Sequence, residues 1–110
     1  MTIYDELNSL LQQREAMIGD IDYETDPTIT AIIDLMTRNM DETLAFLKDD
    51  CSENQFVWLS EVFDEIAEKS QDKALIETLR EVADKYPEAT REYNILYFID
   101  SAEEYIKQGY

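Results

Sequence analysis

Apolar residues along the chain recur at three- and four-residue intervals, the spacing that places side chains on one face of an α-helix. The first run of this kind, 3–18, begins where Thr2 and Asp5 are placed as a capping box, and Gly19 closes it. The pattern therefore predicts a first helix with one buried face. The apolar side chains of this helix are Ile3, Leu7, Leu10, Leu11, Met17 and Ile18.

Two shorter helices are predicted next. Asp26 is placed as a cap and Pro27 at the first position of the second helix, which we expect to end near Asn39. Asp41 is placed as the cap of a third, short helix that ends in the acidic pair 49–50. Anionic side chains at a helix C-terminus oppose the helix dipole, so this end is weakened. The apolar residues of the two helices are Ile29, Ile32, Ile33, Met36, Leu44, Phe46 and Leu47.

The longest clear helical pattern runs from Glu53 to Lys69 and predicts a fourth helix. Ser52 and Gln55 are placed as a capping box at its start, so its first residue is well defined. The apolar face of this helix consists of Phe56, Leu59, Phe63, Ile66 and Ala67.

A fifth and a sixth helix complete the pattern. Ser70 is placed as the cap of the fifth helix, which ends at Pro87 because proline cannot continue a helix. The sixth is predicted from about Glu88 to Gln108. Its segment 93–99 has residues typical of a strand, but a single strand would have no partner. The apolar residues are Leu75, Ile76, Leu79, Val82, Ala83 and Tyr86 in the fifth helix, and Tyr93, Ile95, Leu96, Phe98, Ile99, Ala102 and Ile106 in the sixth.

Short connections between successive helices predict antiparallel neighbours that pack as αα-hairpins. Only two glycines and two prolines interrupt the chain, which argues against a loop-rich or all-β fold. Apolar residues make up 45% of the sequence, enough for a hydrophobic core despite the high charge. We therefore predict an all-α fold, a compact bundle or stack of about six helices arranged as antiparallel αα-hairpins, in one domain over residues 1–110.

The charge is strongly one-sided, with 26 acidic and 9 basic residues and a formal net charge of −17 at pH 7. A field of this sign repels nucleic acid and anionic membrane surfaces, so we expect the chain to bind neither. The same field steers a basic macromolecule toward the chain. Two interpretations stay open at this point, because the acidity either serves a basic partner or only gives solubility.

Residue types that carry catalysis or bind metals are scarce. The chain has no histidine and one cysteine, Cys51, which excludes zinc sites, di-iron sites and histidine-assisted nucleophiles. The acidic segment 20–26 alternates like the start of a calcium loop, but Thr25 stands where glycine is needed and Ala31 where a bidentate glutamate is needed. We expect no catalytic residue, no metal and no cofactor. A lone cysteine, with no signal peptide and no long apolar run, favours a cytoplasmic protein.

One face of the predicted fourth helix carries the strongest candidate for a binding site. At about 100° per residue, its carboxylates gather opposite the apolar face, and Trp58 falls beside them. Like charges three and four residues apart destabilise a helix by roughly 0.3 kcal/mol per pair, so helix stability does not explain them. No lysine or arginine interrupts this acidic row, which consists of Glu61, Asp64, Glu65 and Glu68.

We predict that a partner binds the acidic row, where the charges steer a basic surface and the Trp58 ring anchors it. Asp20, Asp22 and Glu24 in the acidic connection are expected to help. The alternative is that Trp58 packs into a neighbouring helix and that the row is a solvated face.

A pattern shared with a known family lies in four segments, Asn39-Met40-Asp41-Glu42-Thr43, Phe56-Val57-Trp58-Leu59-Ser60-Glu61-Val62-Phe63-Asp64-Glu65-Ile66, Ser70-Gln71 and Lys85-Tyr86-Pro87. In these segments, which fall in the middle and C-terminal two-thirds of the chain, the sequence resembles small helical immunity proteins of bacterial contact-dependent inhibition and other polymorphic toxin systems. The resemblance implies a cytosolic antidote that binds one toxin and blocks its active site or its substrate groove. It brings no catalytic residues with it. Many such toxins are nucleases, and a basic cleft would complement an acidic inhibitor.

The predicted function is therefore that of an immunity protein, which neutralises a cognate basic toxin by stoichiometric binding. We expect this toxin to be a nuclease with a basic cleft. Two alternatives stay open. One is an acidic mimic of nucleic acid that inhibits a DNA-binding or phage-defence protein, and the other is a helical adaptor that binds a partner helix through an apolar groove. The sequence does not indicate an oligomeric state.

Overall fold

Eight α-helices and no strand form the part of the chain that the computed structural model describes, residues 2–16 and 27–106. The predicted all-α fold is confirmed, with two of the predicted helices each divided in two. The predictions for Met17, Ile18, Gly19, the connection 20–26 and the residues after Ile106 lie outside the described residues. The helices are α1 (Ile3–Ala16), α2 (Pro27–Thr37), α3 (Met40–Asp49), α4 (Glu53–Ser60), α5 (Phe63–Ser70), α6 (Lys73–Lys85), α7 (Pro87–Glu92) and α8 (Ile95–Glu104).

The start of α4 follows the predicted capping box. The Ser52 hydroxyl accepts the backbone N–H of Gln55 at 3.1 Å, and the Gln55 side-chain oxygen accepts the backbone N–H of Ser52 at 3.0 Å. The amide nitrogen of the same buried Gln55 donates to Asn8 Oδ1 of α1 at 2.9 Å. One side chain therefore both begins α4 and joins it to α1.

Two of the predicted caps, by contrast, are wrong, because the residue that caps the helix lies two positions away from the predicted one. Asn39, not Asp41, caps α3. The cap position needs extended backbone, which Asn39 has with φ −147° and ψ 102°. Asp41 already lies in the first turn of the helix. Asp72, not Ser70, caps α6, since its carboxylate accepts a backbone N–H at 2.9 Å. Ser70 is the last residue of α5. The second helix also ends earlier than predicted, at Thr37.

The predicted fourth helix is interrupted between α4 and α5, which corrects the single helix expected from the pattern. The Ser60 hydroxyl donates to the carbonyl oxygen of Val57, the acceptor that the N–H of Glu61 would use in a continuous helix. The N–H groups of Glu61 and Val62 bond instead to carbonyls three residues back, at 3.3 and 2.9 Å. The break therefore has a local cause, a serine side chain that competes for a helical carbonyl.

The predicted sixth helix is also two helices, α7 and α8, and this corrects a second boundary. Asn94 between them has φ 54° and ψ 42°, a left-handed conformation that asparagine adopts more easily than most residues. Pro87 occupies the first turn of α7 rather than only ending α6. Two residues assigned to the apolar face, Tyr93 and Leu96, lie at the surface, with 50% and 49% of their area exposed.

The core forms mainly between helices that are distant in sequence. α5 packs most extensively on α8, and α6 packs on both α3 and α8, while α1 and α2 are a sequential pair that pack together. α4 lies against α7 and α8, which brings its C-terminal half near the residues around Asn94. The largest fully buried side chains include Leu7, Met36, Leu47, Phe56, Leu59, Phe63, Leu75, Leu79, Ile95 and Ile99.

Within the two described ranges, none of the helices has the length and apolar character needed to cross a bilayer.

Candidate protein-binding surface

The break after α4 changes the geometry of the acidic row. Glu61 lies in the turn between α4 and α5, and the other three carboxylates lie on α5. Glu61, Glu65 and Glu68 are exposed. Asp64 is half-buried and faces α8, where the Ser101 hydroxyl donates to its Oδ2 at 3.2 Å. Its Oδ1 is buried and has no hydrogen-bond partner among the described residues. The row therefore presents three carboxylates to solvent and turns the fourth toward a neighbouring helix.

Glu65 shows the electrostatic cost of this arrangement. Although the residue as a whole is exposed, partial burial of its carboxyl raises its pKa above the ordinary 4.5, and the nearby charges of Asp64 and Glu68 raise it further. A backbone hydrogen bond to the Glu65 carboxyl partly offsets the increase in pKa. The repulsion expected from the spacing of these carboxylates is thus present in the folded chain.

Lys69 is the cation nearest to the row in sequence, and it forms an ion pair with a residue outside the row. Its ammonium group pairs with the carboxylate of Asp34 on α2. Both side chains are about half exposed, so the pair adds little stability. The pairing holds the lysine ammonium group beside α2.

The position of Trp58 is compatible with both interpretations that the sequence left open. The side chain is half-buried and packs against the hydrophobic core, as the alternative interpretation has it. The same residue also lines a hollow of about 440 Å³ at the surface. We call this space the tryptophan hollow, and its lining residues are Asn54, Val57, Trp58, Ser60, Glu61, Tyr93 and Phe98.

The tryptophan hollow is part of a larger aromatic surface. Tyr97 is 63% exposed, and its ring meets the ring of Phe98 edge-on, with 5.6 Å between centroids and 80° between planes. Tyr93, on the other side of the α7–α8 break, is half exposed. Exposed aromatic rings around a concave site are typical of protein interfaces. Glu61 belongs both to this hollow and to the acidic row, so the two features form one surface.

Tyr93 and Phe98 are functional candidates that the sequence pattern missed. Both were assigned to the buried face of one long helix, and that assignment fails for Tyr93 because the chain turns at Asn94. Asn94 itself was the available signal, since asparagine is enriched at left-handed positions. A search for helix-breaking residues inside the apolar run would have marked this site.

The remaining predicted site residues, Asp20, Asp22 and Glu24, lie outside the described part of the chain, and their role stays a prediction. Within the described part, no group of three or more His, Cys, Asp or Glu side chains could hold a metal ion.

Cys51, the one cysteine of the sequence, lies in the core with a free thiol. It is buried, and burial raises the pKa of its thiol to about 12, although the charge of Lys85 acts in the opposite direction. The thiolate is the nucleophilic form, so the thiol is not activated at neutral pH.

Comparison of the chain with protein-family models, with curated proteins and with solved structures gives no match. The resemblance to immunity proteins therefore rests on the sequence segments alone.

Proposed function

We propose that the protein is an immunity protein that binds a cognate bacterial toxin in the cytoplasm and neutralises it by stoichiometric inhibition. The toxin we infer is a nuclease with a basic cleft. One observation carries the proposal, namely that the tryptophan hollow and the acidic row meet at Glu61 on a chain with a net charge of −17. Such a surface supplies long-range attraction and an apolar anchor at the same place.

The aromatic side chains favour a protein partner over the mimicry of nucleic acid. A mimic needs carboxylates placed like phosphates, whereas Trp58, Tyr93 and Phe98 offer apolar area that a partner side chain would bury. Burial of aromatic area slows dissociation, and surface charge speeds association. Tight stoichiometric inhibition needs both effects.

A test of the proposal starts from the genes beside this one. Each neighbouring product is expressed with and without this chain in a bacterial host. We expect one product to stop growth when expressed alone, to lose that effect when this chain is present, and to form a complex of defined stoichiometry in light scattering after size exclusion. Purified toxin should lose its nuclease activity at an equimolar amount of this chain.

The specificity of the protection needs its own control. A toxin from an unrelated locus should remain active in the presence of this chain. If none of the neighbouring products is toxic, or if the toxic one is unaffected, the immunity function is wrong. A phage-defence protein recovered as the inhibited partner would instead favour the nucleic-acid mimic.

A further inference from the structure

A second hollow adjoins the tryptophan hollow. It measures about 200 Å³ and shares Asn54, Val57 and Tyr93 with its neighbour. We call it the glutamate hollow, because three exposed glutamates line it, Glu53, Glu88 and Glu92. The shared residues make the two hollows one groove that crosses α4 and α7, apolar at one end and acidic at the other.

The charge of this groove sets it apart from other concave parts of the described surface. Among the described residues, neither of its two hollows has a lysine or arginine in its lining. By contrast, Arg38 lines a hollow of about 360 Å³ between α1 and α3 and another of about 290 Å³. Lys73 and Arg80 line a further hollow, of about 210 Å³. Of these five hollows, the two that form the groove across α4 and α7 are therefore the best matched to a basic ligand.

The net charge also decides what kind of molecule can occupy the groove. A second copy of this chain would bring another −17 charges toward the three glutamates, and like charges brought together oppose association. A purely apolar segment would leave Glu53, Glu88 and Glu92 without partners at the acidic end. A basic segment that also carries an apolar side chain satisfies both ends.

We propose that the groove binds a basic segment of a partner protein, with a large apolar side chain in the tryptophan hollow and a lysine or arginine side chain in the glutamate hollow. The inference deepens the proposed function and rests on it for the identity of the partner, the toxin. It adds the docking site and three residues, Glu53, Glu88 and Glu92, that lie outside the acidic row. The volume of the tryptophan hollow falls in the range of about 300–1,000 Å³ that is usual for pockets.

The test uses the full chain and a synthetic peptide, so it does not require the toxin. The probe is an amidated peptide of about twelve residues made only of arginine and leucine. Trp58 is the one tryptophan of the chain, and its fluorescence reports on the groove directly. We expect a saturable change with the basic peptide and none with a counterpart in which glutamate replaces arginine, because the charged residues among the described lining of the groove are all glutamates.

A matched pair of triple variants separates the position of charge from its amount. E53Q/E88Q/E92Q changes the groove, and the control E77Q/E81Q/D84N removes the same charge from exposed positions on α6. At physiological ionic strength we expect the groove variant to weaken peptide binding about tenfold and the control less than about twofold. Equal weakening in the two variants would overturn the inference, since the peptide would then sense only net charge.

A second pair of variants tests the aromatic contribution of Tyr93, which lines both hollows, without disturbing the core. Tyr93 is half exposed, and the control residue Tyr4 on α1 is 40% exposed. We expect Y93A to weaken peptide binding several-fold, roughly fivefold, and Y4A to leave it unchanged. Wild-type affinity in Y93A would overturn the placement of the apolar side chain. Peptide binding in the groove without any protection against a neighbouring toxin would uphold this inference and reject the immunity function.

Discussion

The phenolic hydroxyl of Tyr86 donates a hydrogen bond to the backbone carbonyl of Cys51 across 2.7 Å. Cys51 lies just after α3 and Tyr86 just after α6, so the bond joins the ends of two helices that pack together. The Tyr86 ring also lies against Phe56 of α4, with 6.2 Å between the ring centroids. One half-buried side chain thus connects three helices.

Removal of the Tyr86 hydroxyl should destabilise the fold while the ring keeps its packing. We expect Y86F to lower the free energy of unfolding by about 1 kcal/mol, the usual net contribution of one hydrogen bond. Urea unfolding followed by circular dichroism measures the difference. The control is Y97F on the largely exposed Tyr97, which should leave stability unchanged, and a Y86F variant as stable as wild type would contradict the role given to this bond.

Cys51 should resist alkylation in the native protein. Its thiol is buried and its pKa is raised to about 12, so both access and thiolate formation are suppressed at neutral pH. We expect iodoacetamide to modify native Cys51 at least about a hundredfold more slowly than Cys51 of the urea-unfolded chain. Mass spectrometry of samples quenched over time measures both rates. Comparable rates in the two states would show that the segment after α3 opens readily.

Glu65 should make stability depend on pH in a defined direction. Its pKa is raised above 4.5 in the folded state, so the folded chain holds the Glu65 proton more tightly than the unfolded chain does. Ionised Glu65 therefore destabilises the fold at neutral pH, and this penalty disappears as the pH falls through the raised pKa toward 4.5. We expect E65Q to melt at a higher temperature than wild type at neutral pH, with the gap shrinking near pH 4.5.

Two measurements check the Glu65 prediction. Thermal unfolding of E77Q on α6 corrects for the change in net charge, because it removes one carboxylate from another exposed position. Carbon-detected NMR titration of the Glu65 carboxyl reads its pKa directly. A gap between E65Q and E77Q that stays constant with pH, or a Glu65 pKa at or below 4.5, would contradict the assignment.

The acidic row should act mainly on the rate of association with the proposed toxin partner. Neutralising the three exposed carboxylates as E61Q/E65Q/E68Q should slow association and flatten its dependence on salt, because surface charges accelerate encounter. Asp64 is left unchanged because it contacts Ser101 of α8. Truncation of an aromatic anchor, as in Y93A, should chiefly speed dissociation. Surface plasmon resonance over a range of salt concentrations separates the two rates. A helical triple variant that still associates at the wild-type rate at low salt would make the row a solvated face.

Local features of the fold were predictable wherever one short stretch of sequence decides them. The Ser52–Gln55 capping box was found because both partners lie within one turn. The buried stripe on α6 was found because its spacing follows a single helix. The caps of α3 and α6 were predicted at the wrong residues, Asp41 and Ser70. Acidic and hydroxyl residues are common near helix starts, and only the backbone angles show which of them is the cap.

The breaks at Ser60 and Asn94 were not predictable from periodicity. The apolar spacing continues through both, so the pattern contains no gap. One break depends on a serine hydroxyl that takes a carbonyl acceptor, and the other on a left-handed asparagine. The groove depends in turn on the packing of α4 against α7 and α8, a contact between distant segments. The three glutamates of the groove were missed because of this long-range packing, and Tyr93 was missed because of the turn at Asn94.

Near the turn at Asn94, buried residues that hold the fold lie close in sequence to exposed residues of the groove. Ile95 and Ile99 after the turn are fully buried, whereas Glu88, Glu92 and Tyr93 before it are exposed. Exposed positions accept most substitutions with little loss of stability, while buried ones do not. Substitution of a few exposed side chains along α7 should therefore change the surface of the groove with little effect on the fold. Selection for a new recognition specificity would then proceed without endangering the folding of the domain.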